Sequence, residues 1–191
     1  MKKLLFNPFE KFDARALLFT GLLVTVLGSL LGYTYNARFD GVLDLHFSAD
    51  VKYVEPFSDN VFNIAFLFIA LYIFGRIINK KIRPIDIFAT AMIARLPLYL
   101  VCFANVDGKL FVEAAKALEN GPNALSANPA DLMVVAVMGL LMIPFLIWYI
   151  ALLYNGFKVA VNAKTAKHNL LFALALIIAE ILSKILLYII Y

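Results

Sequence analysis

The chain has 191 residues, of which 63% are hydrophobic and 16% charged, and a formal net charge of +4. A water-soluble domain of this size needs more polar residues to cover its surface, so the composition excludes one and indicates an integral membrane protein. The excess positive charge lies in short loops rather than along one face, which argues against nucleic-acid binding. The only cysteine, Cys102, excludes an intrachain disulfide.

The N-terminal segment precedes the first long apolar stretch and contains Asn7-Pro8-Phe9-Glu10. Asn7 can cap a helix that has Pro8 at its first position and a carboxylate near its positive end. Phe9 and Phe12 lie on one side, which predicts a short interfacial helix leading into the membrane. No small-residue cleavage site follows, so we expect the segment to be retained.

Five apolar stretches are each long enough to cross a hydrocarbon core of about 30 Å as a helix. They predict an all-α membrane protein, with residues 1–191 forming a single transmembrane domain built as a bundle of five helices. The predicted helices cover about 16–33, 61–78, 85–104, 132–154 and 169–191.

A segment of different character lies between the third and fourth predicted helices, from Lys109 to Asn120. Its apolar residues recur on one helical face, and Gly121-Pro122 ends the run. This pattern predicts an amphipathic helix lying on the outer surface of the membrane.

The loops between the apolar stretches alternate in charge. The segments up to Arg15, from 76 to 86 and from 155 to 167 carry eleven of the seventeen Lys and Arg residues and three acids. The segments 34–60 and 106–131 carry four basic residues and nine acids. Because cytoplasmic loops are enriched in Lys and Arg, we expect the N-terminus in the cytoplasm and the C-terminus outside.

Three charged residues lie well inside the predicted spans, away from the span ends: Arg95, Glu180 and Lys184. A charge at the bilayer centre costs roughly 2.5–3.5 kcal/mol on insertion scales, so each should face protein or water. Arg95 and Glu180 lie at similar depths, which predicts that Glu180 pairs with Arg95 across helices and with Lys184 at i+4. Two interpretations stay open: an internal ion pair that fixes helix docking, or a functional site, either a proton or ion relay or an anchor for an anionic headgroup.

Two prolines and a glycine motif lie within the predicted helices. Pro97 and Pro144 each remove a backbone donor, which predicts helix kinks that are either structural or part of a substrate site. Gly28 and Gly32 form a G-x-x-x-G motif, which lets helix backbones approach closely within the chain or in a homodimer.

The sequence contains no recognisable reaction centre. There is no H-E-x-x-H motif, and His46 and His168 lie in loops predicted to be on opposite sides of the membrane. There is also no P-loop and no Gly-rich dinucleotide signature. We therefore expect a protein that is not an enzyme and uses no cofactor or metal.

The layout resembles a known family. The run Asn7-Pro8-Phe9-Glu10-Lys11-Phe12 is similar to the N-P-x-x-x-F opening of bacterial Yip1-family proteins. The run from Ala89 to Pro97 resembles the family's segment that ends in a mid-helix proline. The resemblance implies five helices, a cytoplasmic N-terminus and a location in the bacterial inner (plasma) membrane. Eukaryotic relatives associate with Rab-type GTPases partly through a long cytosolic N-terminal region, and the short segment here argues against GTPase binding.

Two functions remain under consideration. The first is a non-enzymatic multi-pass membrane protein that acts through helix-mediated association with partner proteins or lipids. The lipid bilayer is its expected partner, with homo-oligomerisation or binding of other membrane proteins left open. The alternative is a small transporter or channel component that uses Arg95, Glu180 and Lys184.

The predicted orientation can be tested with single cysteines in a Cys102→Ser background. A cysteine at Lys80 is expected to react with a membrane-impermeant maleimide only after permeabilisation, because the basic loop around it should be cytoplasmic. A cysteine at Asp50 serves as the control and should react in intact cells. The reverse pattern would overturn the orientation.

Overall fold

The computed structural model describes residues 2–106 and 129–190. Its α-helices are α1 (Lys2–Phe6), α2 (Ala14–Thr34), α3 (Glu55–Ile78), α4 (Pro84–Ile93), α5 (Leu96–Val101), α6 (Pro129–Val161) and α7 (Ala166–Ile190). Two short strands, β1 (Ala37–Arg38) and β2 (His46–Phe47), pair antiparallel, and 3-10 turns cover Pro8–Glu10 and Cys102–Asn105. The predicted amphipathic helix at 109–120 lies outside the described residues.

Among the described residues, five helices are long and apolar enough to cross a membrane, which confirms the five predicted spans. The largest differences at their ends are in α3, which begins at Glu55 rather than near 61, and in α6, which continues to Val161. The early start of α3 adds a polar turn to the helix. Asp59 and Asn60, in that turn, are fully buried in the folded chain, although their polarity suggested a solvent-exposed loop.

The third span, α4 together with α5, lies at the centre of the bundle. In its most apolar window 72% of the residues are buried, against 28% to 33% in the other four spans. α4 packs against α2, α3 and α6, while α5 packs against α2 and α6, and α3 packs against α7. The four surrounding spans therefore direct most of their apolar surface outward.

The central span is interrupted near Pro97. Because proline has no N–H, the carbonyl of Ile93 lacks its helical partner, and α4 ends at that residue. The N–H of Arg95 bonds to the carbonyl of Met92 at 3.3 Å, a tighter turn than in an α-helix. Arg95 thus lies at the interruption itself. Pro144, by contrast, lies inside α6, which continues through it.

The N-terminal segment is held against α6. Nε1 of Trp148 donates to the carbonyl of Leu5 at 2.8 Å, and Nδ2 of Asn155 donates to the carbonyl of Phe6 at 2.8 Å. A helical turn does begin at Pro8, as predicted, but it is a 3-10 turn, and the α-helix of this segment precedes it. The predicted cap is wrong, because the side chain of Asn7 makes no capping bond there.

Gly28 and Gly32 both face the interior of their own chain. A Cβ atom at Gly28 would lie 2.3 to 2.4 Å from ring carbons of Tyr99. At Gly32 it would lie 3.0 Å from both Phe39 and Pro56. The motif therefore brings α2 close to the central span and to α3 within one molecule.

Replacing Gly28 tests this close packing. Gly28→Ala is expected to destabilise the fold by roughly 1–3 kcal/mol, the usual effect of overpacking, because the ring of Tyr99 must move. Gly139→Ala is the matched control, since nothing lies within 4 Å of its added methyl group. The measurement is the midpoint of thermal unfolding in detergent, and equal midpoints for the two variants would contradict the packing.

Candidate functional site

The segment between α2 and α3 folds into the bundle. Arg38 of β1 lies opposite His46 of β2, and the hairpin loop, residues 39–45, connects the two strands. Within this loop the side chains of Phe39 and Val42 are completely buried. Loops usually run over the surface because their backbone N–H and C=O groups need partners. At membrane depth such a loop is tolerated only where protein surrounds it and satisfies those groups.

α3 supplies the partners for the start of the hairpin loop. The N–H of Phe39 donates to Oδ2 of Asp59 at 3.2 Å, and Nδ2 of Asn63 donates to the carbonyl of Phe39 at 2.6 Å. The buried charge of Asp59 is balanced by a forked contact with Arg38, at 2.7 and 3.0 Å. Arg38 also lies 3.2 Å from Glu55. Backbone and charge are thus satisfied by the same few side chains.

A single peptide group lies between Arg95 and Glu180. Nη1 of Arg95 donates to the carbonyl of Val42 at 3.2 Å. The N–H of Leu43, which belongs to the same peptide group, donates to Oε2 of Glu180 at 2.7 Å. On the other side of Val42, its N–H donates to Oγ of Ser183 at 3.2 Å. The carbonyl end of the peptide dipole faces the cation and the N–H end faces the anion, so both contacts are charge-assisted.

This arrangement corrects the prediction of a direct pair between Arg95 and Glu180. Both residues are described, and no ion pair joins them in the described part of the chain. The physical reason is that the hairpin loop occupies the space between the guanidinium and the carboxylate. The sequence prediction considered only the depths of the two helices and did not place the loop between them. The two charges share a partner instead of contacting each other.

Lys184 lies at the outer edge of the group rather than in its buried part. Its Nζ is 3.5 Å from Oε1 of Glu180, as the i+4 spacing predicts, and 2.6 Å from Oδ2 of Asp44 in the hairpin loop. The Lys184 side chain is 48% exposed, whereas Arg95 is completely buried. The three predicted residues therefore span the distance from the interior to the surface of the bundle.

Gly41 allows the hairpin loop to approach α7 this closely. A Cβ atom at this position would lie 2.7 Å from both carboxylate oxygens of Glu180. A larger residue would force the loop and the carboxylate apart.

Arg95 lies among polar and aromatic groups. Its Nε donates to Oδ1 of Asn60 at 3.0 Å, and the hydroxyl of Tyr99 donates to the same oxygen at 3.0 Å. Nδ2 of Asn60 in turn donates to Oγ of Ser29 at 2.9 Å. The guanidinium carbon lies 5.5 Å from the ring centre of Phe39, within the range of a cation–π contact. Nη2 has no hydrogen-bond partner among the described residues.

Sequence reasoning missed Asp59 and Asn60, which were assigned to an exterior loop. The available signal was spacing, because Asp59 and Asn63 are four residues apart and share one face of a helix. Read together, they would have indicated a helix with a polar inner face.

A cavity of about 640 Å³ lies on the exposed side of the hairpin loop. Asp40 and Asp44 of the loop line it, together with His46 and Lys184. Arg95 does not line it, and the same loop contacts Arg95 from its other side. The hairpin loop therefore separates this cavity from the buried guanidinium.

Comparison with protein-family models, with curated proteins and with solved structures found no match to this chain. In the part of the chain that the structure describes, no group of three or more His, Cys, Asp or Glu side chains could hold a metal ion. The five apolar helices are those of an integral, multi-pass membrane protein.

His46 closes the hairpin at its exposed end. Its Nδ1 contacts Oδ2 of Asp40, at the opposite end of the hairpin loop. The hydrogen bond to Asp40 raises the pKa of His46 above its usual 6.5, partly opposed by burial and by the charge of Arg38. A raised pKa means that the folded hairpin binds the proton more tightly than the unfolded chain does.

This linkage predicts a pH dependence of the hairpin. The stabilisation by protonated His46 should be complete below the unfolded pKa of about 6.5 and lost as the pH rises through the folded value. An NMR titration of His46 should give a pKa above 6.5, lowered by Asp40→Asn. Asp44→Asn is the control and should lower it less, since Asp44 acts only through its charge. Equal shifts in the two variants would contradict the assignment.

Proposed function

We propose that the chain is a non-enzymatic, multi-pass membrane protein that acts through helix-mediated association with partner proteins or lipids. The observation that supports this is that the charges inside the spans are engaged in contacts within the fold. Arg95 and Glu180 bind the two ends of one peptide group, and Arg95 is completely buried. Charges engaged in this way hold the fold together, which favours the structural interpretation of the cluster over a relay.

The surfaces for association are the outward faces of the surrounding helices. Large apolar side chains such as Ile73 of α3 and Ile181 of α7 are at least half exposed. In a bilayer these faces contact lipid tails or the helices of other proteins. Because Gly28 and Gly32 already pack within the chain, association would use these other faces.

The proposal includes a relationship to the Yip1 family, a cytoplasmic N-terminus and a location in the bacterial inner membrane. Its support is the Asn7–Phe12 run, the segment ending in Pro97 and the alternating charge of the loops. GTPase binding is not part of the proposal.

The second candidate is a small transporter or channel component that uses Arg95, Glu180 and Lys184. Two observations favour it. The cavity of about 640 Å³ reaches Lys184, and the central span is interrupted beside Arg95, as helices that line substrate sites often are. In this function the hairpin loop would have to move away from Arg95.

Glu180→Gln distinguishes the two candidates. Under the first, the variant should be less stable by roughly 1–1.5 kcal/mol, the difference between a hydrogen bond to a charged and to a neutral acceptor, because the amide oxygen of Gln replaces the carboxylate as acceptor for the N–H of Leu43. Proton and ion flux in proteoliposomes should equal that of empty vesicles for both wild type and variant. Lys184→Gln, at the exposed edge, is the control and should destabilise less. Wild-type flux that the Glu180→Gln variant abolishes would establish the transporter instead.

Photo-crosslinking tests the association directly. A photoreactive residue at Ile73 or Ile181 should form adducts with a protein or with lipid in native membranes, and one at the buried Leu153 should not. Equal yields at the exposed and buried positions would count against association through these faces.

A further inference from the structure

An apolar groove of about 350 Å³ runs between the N-terminal segment and the membrane spans. Leu5 and Phe12 line one side of it, and Ile93 and Trp148 line the other. The hydrogen bonds that Trp148 and Asn155 donate to the backbone of the N-terminal segment fix that wall in place. The groove is therefore a built part of the fold.

A second cavity, of about 260 Å³, adjoins the groove and has a different character. Phe12 and Leu17 line both cavities, so the two meet at these side chains. The second cavity is also lined by three charged residues, Asp13, Arg83 and Asp86. An apolar groove beside a charged cavity has the polarity of a membrane lipid, with an acyl chain at one end and a headgroup at the other.

The charges of the second cavity complement a headgroup that carries both signs. Nε and Nη2 of Arg83 each donate to Asp86 at 2.8 Å, and Nη1 has no hydrogen-bond partner among the described residues. One oxygen of Asp13 accepts from the N–H of Arg15 at 3.0 Å, and its other oxygen bonds no described residue. An anion can thus approach Nη1 of Arg83 while a cation approaches Asp13.

We infer that the groove and the charged cavity together bind one phospholipid of the phosphatidylethanolamine type. Its acyl chain lies against Trp148, its phosphate faces Arg83, and its primary ammonium donates to Asp13. A trimethylammonium headgroup has no N–H to donate, and a glycerol headgroup has no cation. The inference rests on the proposed function, in which the chain associates with lipids, and it names the lipid class.

Trp148 makes the inference measurable, because it is the only tryptophan of the chain and lines the groove. The protein is reconstituted in phosphatidylcholine vesicles that contain an equal fraction of brominated phosphatidylethanolamine, phosphatidylcholine or phosphatidylglycerol. Bromine quenches tryptophan fluorescence on contact. The ethanolamine lipid should show a relative association constant roughly twofold to fivefold above the other two, as for one exposed ion pair.

Paired variants test the contact with the lipid headgroup and the contact with the acyl chain separately. Asp13→Asn should remove the ethanolamine preference while Asn still caps α2, whereas Asp50→Asn, at an exposed site beyond the hairpin, should retain it. Ala16→Phe fills the groove and should reduce quenching by all three lipids. Ala173→Phe, the same change at an exposed site on α7, should not.

Equal quenching by the three headgroups in wild type would overturn the headgroup assignment. Equal quenching in the Ala16→Phe and Ala173→Phe variants would overturn the assignment of the groove as the binding site of the acyl chain. Neither result depends on crosslinking or flux. If adducts form at Ile73 or Ile181 but the headgroups quench equally, the lipid site fails and the proposed function stands. If quenching is selective but no adducts form, association through the helix faces fails and the lipid site stands.

Discussion

The Val42–Leu43 peptide group joins elements that are distant in sequence. A guanidinium and a carboxylate within an apolar bundle each need a partner, and so do the N–H and C=O groups of a buried loop. Here the charged side chains and the loop backbone are each other's partners, since the peptide group accepts from Arg95 and donates to Glu180. Deleting either charged side chain leaves a backbone group without its partner, and removing the loop takes one hydrogen bond from each charge. The two sets therefore depend on each other.

The interruption of the central span helps to position Arg95 for these contacts. A continuous helix would bond the backbone of Arg95 in the ordinary way and would direct its side chain from a regular turn. The missing donor at Pro97 ends α4 and lets the chain tighten at Arg95, which lies opposite Asn60 of α3. Close packing of α2 at Gly28 then brings the helices around this point to a small separation. Sequence features that looked independent, a proline, an arginine and a glycine, thus meet at one place.

The sequence predicted the spans well because hydropathy and length act locally along the chain. All five were found, and the residues that must avoid lipid were identified from their charge alone. The contact of Arg95 with Val42 could not be predicted, because the acceptor is a backbone carbonyl in a segment whose sequence predicts a polar loop. Asp59 and Asn60 were misassigned for a related reason, since the burial of a polar helical turn beneath a folded loop leaves no trace in hydropathy. The N-terminal groove was likewise invisible, because side-chain bonds to backbone carbonyls fix its wall.

A contact made by a peptide group belongs to no particular side chain. Any residue except proline at position 43 carries the N–H that Glu180 accepts, and every residue at position 42 carries the carbonyl that Arg95 needs. The backbone conformation of the hairpin loop therefore determines the central contact, and Gly41 permits the close approach to Glu180 that this conformation requires. Related chains could carry other residues at positions 42 and 43 and still make the contact. An alignment of such chains would then show Arg95 and Glu180 as shared residues but would not reveal the peptide group that lies between them.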